Sequence, residues 1–206
     1  MDKWDIFLSP YKQAIEELKI KLKGIRKDYQ VNKQTSPIEF VTARVKPVKS
    51  IIEKANVRNI SYDHLREEMY DIAGVRIMCQ FEDDIEVICS QIRSRSDMIV
   101  VEERDYVSEI KSSGYRSYHM ILQYPVETLE GTVNILAELQ IRTLAMNFWA
   151  TIEHSLNYKY KGEYPPEIQK RLQNAAQAAQ LLDQEMSEIR EEVMEAQKYF
   201  SKKRNP

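Results

Sequence analysis

"IAGVRIMCQFEDDIEVICSQIRSRSDMIVVEER", residues Ile72 to Arg104, changes its hydrophobic period twice. Val75, Ile77, Cys79 and Phe81 alternate with Arg76, Met78 and Gln80, the two-residue period of a strand. Asp83 or Asp84 then caps a helix that carries Ile85, Ile88 and Ile92 at three- and four-residue steps. Met98 to Arg104 returns to strand. A strand–helix–strand unit is a crossover, so this stretch predicts an α/β (α+β) sheet fold rather than a helical bundle.

Downstream, a third strand is expected over roughly Ser117 to Tyr124, a turn at Glu130-Gly131, and a fourth strand from Val133 to Arg142. Crossover plus meander gives a small mixed sheet flanked by helices. Helix follows from about Thr143 to Tyr160. After Pro165-Pro166 it resumes as one long segment to about Tyr199, with Leu172, Ala175, Ala179, Leu182, Met186, Ile189 and Val193 at helical spacing. Upstream, Ser9-Pro10 reads as a helix start, followed by a stripe of Ile15, Leu18, Leu22, Ile25 and Tyr29. Ser36-Pro-Ile-Glu39 has the form of a capping box and predicts a second helix through "FVTARVKPVKSIIEKA", which Pro47 splits near Lys46. The expected division is one domain over 1–206, with N-terminal helices over 1–60, a sheet core over 61–160 and a helical extension over 161–206.

An apolar fraction of 43% in 206 residues supports a real core. Charged residues make up 30% of the chain, yet the formal net charge is −2, unlike a protein that coats polyanions. Any phosphate binding must come from a local cluster, and RNA gains no support from net charge. Cys79 and Cys89 form no C-x-x-C or metal spacing. The N-terminus lacks a secretory pattern, and no apolar run approaches the ~20 residues that span a bilayer, so a cytoplasmic protein is expected.

Two stretches carry chemistry. "IKSSGYRSYHMILQYP", Ile110 to Pro125, sets Lys111, Arg116 and His119 beside Tyr115 and Tyr118. The cations suit phosphate oxygens, and either tyrosine could offer a face to a base. A solvated turn entering a strand is the plainer account. In the fourth strand, Glu138, Gln140 and Arg142 share one face, either a solvent-facing surface or the floor of a cleft. Asp71 and Glu138, grouped with Arg76, Arg142, His119 and Lys111, would suit phosphoryl transfer: a carboxylate can hold Mg²⁺ and another can accept a hydroxyl proton. Neither G-x-x-x-x-G-K-[ST] nor G-x-G-x-x-G is present, so side chains must hold any phosphate.

"YDIAGVRIMCQF", "SSGYRSYHMIL", "AELQIRTLAMNFWATIEHSLNYKY" and "SPIEFVTARVKP" together resemble the small alarmone synthetases, the RelQ type of the RelA/SpoT synthetase family. The resemblance covers nearly the whole chain. It implies a nucleotidyltransferase-like fold and transfer of pyrophosphate from ATP to the ribose 3′-hydroxyl of GDP or GTP, giving (p)ppGpp and AMP. By motif, Asp71 would be a Mg²⁺ ligand, and Glu138 the base and a further contact to the metal. Tyr115 would stack on guanine through its face, with Asn147 fixing the base and Lys111, His119, Gln140 and Arg142 completing the guanine-nucleotide site. Arg44, Lys46, Ser50, Lys54, Arg76 and Arg104 would surround ATP.

The resemblance also implies a homo-oligomer, a tetramer, with (p)ppGpp as an allosteric effector near Lys19, Lys23, Arg26, Phe40, Thr42 and Asn147. One departure stands out: relatives commonly read T-G-R-V-K-P where this chain has Ala43, and alanine would stiffen a helix there by roughly 0.5–1 kcal/mol. None of His64, His119 and His154 precedes Asp, so the His-Asp hydrolase pair of the long relatives is not expected, and synthesis alone is. The alternative is a non-catalytic nucleotide- or RNA-binding module, but carboxylates such as Asp71 and Glu138 repel RNA phosphates.

Overall fold

The computed structural model describes residues 3–160 and 164–204. Its centre is a five-stranded sheet of β1 (Phe40–Val45), β2 (Ala73–Cys79), β3 (Ile99–Asp105), β4 (Tyr118–Thr128) and β5 (Gly131–Thr143), in the order β1-β2-β5-β4-β3. β2 and β5 are parallel; the other neighbours are antiparallel. The expected crossover from β2 through α4 (Asp83–Arg93) to β3 is present, but β5 and β4 insert between its two strands. The meander thus fills the middle of the sheet, and β3 becomes an edge.

α1 (Lys3–Val31) buries Leu8, Tyr11, Ala14, Ile15, Leu18 and Leu22 in the same core as Val75, Ile77, Ala137, Leu139, Leu122 and Tyr124. That covers one sheet face with apolar side chains and leaves the other for polar ones. α4 adds Ile85, Ile88, Cys89 and Ile92 to the core. A 3-10 turn at Tyr62–His64 and the short α3 (Leu65–Glu68) lead into β2. α5 (Leu144–Lys159) follows β5 directly, and α6 (Pro166–Arg204) packs back on α5. No helix among the described residues is long and apolar enough to cross a membrane.

Three expectations are corrected. The segment Phe40–Val45 is a strand, not the start of a helix, so the first sixty residues add a sheet edge to their helices. Val41, Ala43 and Val45 pack on the core while Phe40, Thr42 and Arg44 face away, a two-residue period that a helix could not use. Pro47 does not kink a helix: at φ −58° and ψ 141° it ends the extended run and caps α2 (Val48–Arg58). Nor does Ser9-Pro10 start α1, which begins six residues earlier than Ser9 and carries Pro10 inside it. Trp4, Phe7 and Leu8 pack against the core, and this outweighs the missing hydrogen bond. Ala43 therefore sits on a strand, and the helix-stiffening argument for it lapses.

Candidate active site

Sheet register assembles the site. One row of Cα partners runs Thr42, Arg76, Gln140, His119, Arg104 across all five strands; the next runs Arg44, Gly74, Glu138, Ile121, Glu102. Partners in a row project from the same face, and neighbouring strands lie ~4.8 Å apart. Four of the five side chains in the first row are ones that the sequence marks for the two substrates, and the fifth, Thr42, is marked for the effector. A cleft of about 200 Å³ opens over this face, with Arg44, Lys46, Asp71, Arg76, Glu138 and Gln140 in its lining.

Asp71 sits just before β2. Its Oδ2 takes Lys46 Nζ at 2.9 Å and Lys54 Nζ at 2.7 Å. Burial pushes its carboxyl up, but the two lysines outweigh it and hold the acid below its ordinary range. Its Oδ1 is buried without a hydrogen-bond partner. An ionised oxygen with no donor is a place for a cation. Among the described residues no group of three or more His, Cys, Asp or Glu could cage a metal alone. Mg²⁺ keeps waters and phosphate oxygens in its shell, so one or two carboxylates in a phosphate cleft suit it.

Glu138 is engaged on both sides. Oε1 lies 3.2 Å from His119 Nδ1, and Oε2 accepts from Gln140 Nε2 at 2.8 Å. Burial raises its pKa, the His119 and Gln140 contacts lower it, and the balance is downward. The network continues: His119 Nε2 is 2.9 Å from the Tyr115 hydroxyl, which also accepts from Arg142 Nη2. With Nδ1–H donating to Glu138, Nε2 is left to accept the tyrosine proton. Arg142, buried, spans Tyr115, Gln140 Oε1 at 2.9 Å and Ser117 Oγ at 3.1 Å. Arg76 Nε donates to Gln140 Oε1 at 3.3 Å. Burial, then the charges of Arg142 and Arg44, lower the Arg76 pKa. Such crowded cations are relieved by an anion.

The structure therefore gathers Lys111, Tyr115, His119, Gln140 and Arg142 into one group. Lys111 Nζ lies 5.0 Å from the Tyr115 ring centre and 4.1 Å from that of Tyr106. Between the two tyrosines open in the sequence, Tyr115 joins the site; Tyr118 turns away to bond Glu103 and Arg93. Asn147 lies in the first turn of α5, its Oδ1 buried without a partner. Arg44, Lys46 and Arg76 line the cleft, and Lys54 reaches it through Asp71. Ser50 lies one turn before Lys54 on α2. Arg104 starts from the edge strand β3, bonds Glu102 and lies 5.4 Å above the ring of Tyr70, the residue before Asp71. Lys19, Lys23 and Arg26 are on α1, where Lys19 pairs with Glu16. Phe40 and Thr42 are on β1, and Thr42 also lines the cleft. Sequence reasoning missed Tyr106, whose ring meets Tyr115 and His119 edge-on, and Ser117. An aromatic just past β3 was the only signal for the former.

A model of the region found in RelA / SpoT proteins matches residues 43–163. The GTP pyrophosphokinase YjbM of Bacillus subtilis (strain 168) is 59% identical over 201 residues, covering 98% of this chain and 95% of its own. Small alarmone synthetase 1 from Bacillus subtilis bound to its product pppGpp superposes with a TM-score of 0.89 at 58% identity, over 93% of this chain and 98% of that one. The same synthetase bound to AMPCPP gives 0.82 at 54% identity, over 94% and 98%.

Proposed function

This chain belongs to the RelA/SpoT family, and on that premise we infer how its cleft performs the synthesis of (p)ppGpp as a GTP pyrophosphokinase of the small alarmone synthetase kind. ATP lies over β1 and β2, with Arg44 and Arg76 near adenine and Lys46 and Lys54 sharing their charge between Asp71 and the triphosphate. Ser50 and Arg104 belong to the same substrate's surroundings. The guanine nucleotide lies over β4 and β5. Tyr115 stacks on its base, Asn147 Oδ1 accepts from the base edge, and Lys111, His119, Gln140 and Arg142 complete its site.

The ribose 3′-oxygen attacks the β-phosphorus of ATP. The bond from 3′-oxygen to β-phosphorus forms, the bridging bond between the α- and β-phosphates breaks, and AMP leaves with the bridging oxygen. Glu138 takes the 3′-hydroxyl proton; it is ionised beforehand because His119 and Gln140 stabilise its charge. Mg²⁺, held by Asp71 with a share from Glu138, would offset charge on the transferred phosphates. Arg76 and Arg142 offset the rest from fixed positions, which avoids reorganisation during transfer.

The observation that carries this reading is the pairing of Asp71 and Glu138 on one cation-rich sheet face. A surface that only gripped RNA phosphates would gain nothing from two carboxylates there. The test is incubation with ATP, GTP and Mg²⁺ followed by nucleotide separation. AMP should appear in equal amount with a guanine nucleotide carrying two further phosphates; ADP in place of AMP would overturn the transfer scheme. The protein would act in the cytoplasm as a homotetramer, with (p)ppGpp as effector near Lys19, Lys23, Arg26, Phe40 and Thr42, and Asn147 open to either site.

A further inference from the structure

The loop from Lys111 to Ser117 carries Tyr115 but has little structure of its own. The Gly114 N–H closes a turn on the Lys111 carbonyl at 2.8 Å, and the Tyr115 N–H reaches Ser113 Oγ at 3.3 Å. The tip of the loop rests on α6. Gly114 has φ 90°, and a Cβ on it would fall 2.4 Å from Ala176 Cβ and 3.8 Å from the Trp149 ring. Only a glycine facing a small residue permits that approach. Beside it, Gln173 Nε2 donates to the Ser112 carbonyl at 2.8 Å. Trp149 in turn fixes α6 to α5, donating Nε1 to the Leu172 carbonyl at 3.0 Å.

The base of the loop is held by charge. Arg116 Nη2 donates to Glu82 Oε2 at 2.6 Å, and Nη1 lies 3.6 Å from Asp183 Oδ2. The side chains of Arg116 and Asp183 are each 5% exposed. The same Asp183 oxygen accepts from Thr143 Oγ1 at 2.8 Å, and Thr143 directly follows Arg142. Asp183 thus ties α6 to the loop and to the end of β5. Buried ion pairs add little net stability over apolar substitutes, but they fix one geometry and penalise others. Neither Ala176 nor Asp183 lines the cleft that holds Asp71 and Glu138, although Ala176 shares a separate cavity of about 290 Å³ with Lys111 and Gly114.

Resting on the assignment of Tyr115 to guanine, we propose that α6 is the positioning element of this loop, with Ala176 and Asp183 setting guanine-nucleotide affinity through the placement of Tyr115. The effect is selective, because the ATP side is built on β1, β2 and α2, away from α6.

The test measures KM for each substrate and kcat in four variants of the full chain. Ala176→Leu drives bulk against Gly114 and should raise KM for GTP about ten-fold or more, with KM for ATP and kcat within about two-fold, since a displaced platform forfeits stacking. Ala176→Gly weakens the helix but keeps the contact open, and should leave both KM values unchanged. Asp183→Asn keeps the Thr143 bond, removes the charge facing Arg116, and should raise KM for GTP about three-fold or more. Tyr115→Ala runs in parallel. If it raises KM for GTP while Ala176→Leu does not, the positioning role fails alone. If Tyr115→Ala itself has no effect, the base platform fails and takes the proposal with it. Equal changes in both KM values across Ala176→Leu and Ala176→Gly would mean helix packing only and overturn the proposal. Should Ala176→Leu not fold, Asp183→Asn must show the same selectivity, and its absence there overturns the proposal equally.

Discussion

Glu138 illustrates how two neighbours prepare a base. Burial favours its neutral form, yet His119 and Gln140 hold its pKa below the ordinary 4.5. A depressed carboxylate is fully ionised above its ordinary value and gains protons only as pH falls through the folded one. Lowering pH from 8 to about 5.5 should thus leave proton acceptance intact, and any loss of turnover there must arise elsewhere. Glu138→Gln should cut turnover by roughly 10²-fold or more while keeping nucleotide binding in calorimetry, and higher pH should not restore it. Near-normal turnover would falsify the base assignment. Tyr115 departs from its sequence reading in one respect. The ring suffices for stacking, which makes a phenylalanine substitution mild, but the hydroxyl bonds both His119 and Arg142. Tyr115→Ala should weaken guanine-nucleotide binding about ten-fold or more. Tyr115→Phe should cost a few-fold, because buried Arg142 loses an acceptor. Identical affinities for Tyr115→Phe and the unaltered protein would show that this hydroxyl contributes nothing. The residue types were legible in the sequence; the bond between Arg142 and Tyr115 was not, because Arg142 on β5 meets the loop before β4 only through the pairing of those two strands.

β1 shows where local signals mislead. A serine followed three residues later by glutamate imitates a capping box, and a proline two residues past a valine-rich run invites a kinked helix. The competing evidence was a two-residue period in "FVTARV", with Val41, Ala43 and Val45 inward. Six residues at a sheet edge make a pattern too short to stand out against those helix signals. β2, β4, β5 and α4 were legible because their patterns are longer or sharply bounded by acidic and glycine residues. Strand order was not: the sequence shows a crossover, but only long-range pairing inserts β5 and β4 between its strands. Ala43, opposite Val75 in the register, now makes a different prediction from the helical one. Ala43→Gly should weaken a strand rather than loosen a helix, lowering unfolding free energy by about 0.5–1 kcal/mol in urea titration. KM for ATP should stay within about two-fold, since Arg44 keeps its backbone register. A large loss of ATP affinity with unchanged stability would mean that the alanine methyl itself shapes the cleft.

At the scale of the molecule, α6 has two different faces. Its first half turns Ala176 and Asp183 into the protein, both buried. On another face, Leu182, Met186, Ile189 and Val193 recur at four- and three-residue steps, and they remain 56%, 44%, 41% and 50% exposed. The sequence marks these positions for packing, but the sheet core closes without them. Phe148 on α5 adds another large apolar side chain at 70% exposure. A continuous apolar stripe of this kind costs solubility unless something covers it. A second copy of the chain is the occupant that fits a homo-oligomer, because the same stripe on two copies is self-complementary about a two-fold axis. Light scattering at micromolar concentration should therefore give a multiple of 24.3 kDa. Replacing Leu182 and Met186 together by glutamate places like charges at the centre of such a contact and should lower the mass. Neither residue lines the cleft, so synthesis of AMP by the dissociated protein should continue, while stimulation by added pppGpp should vanish if the effector binds between subunits. A mass of one chain for the unaltered protein would remove both the oligomer and the intersubunit effector site. An undiminished mass for the double variant would move the interface off α6, and stimulation surviving in a true monomer would return the effector to a site within one chain.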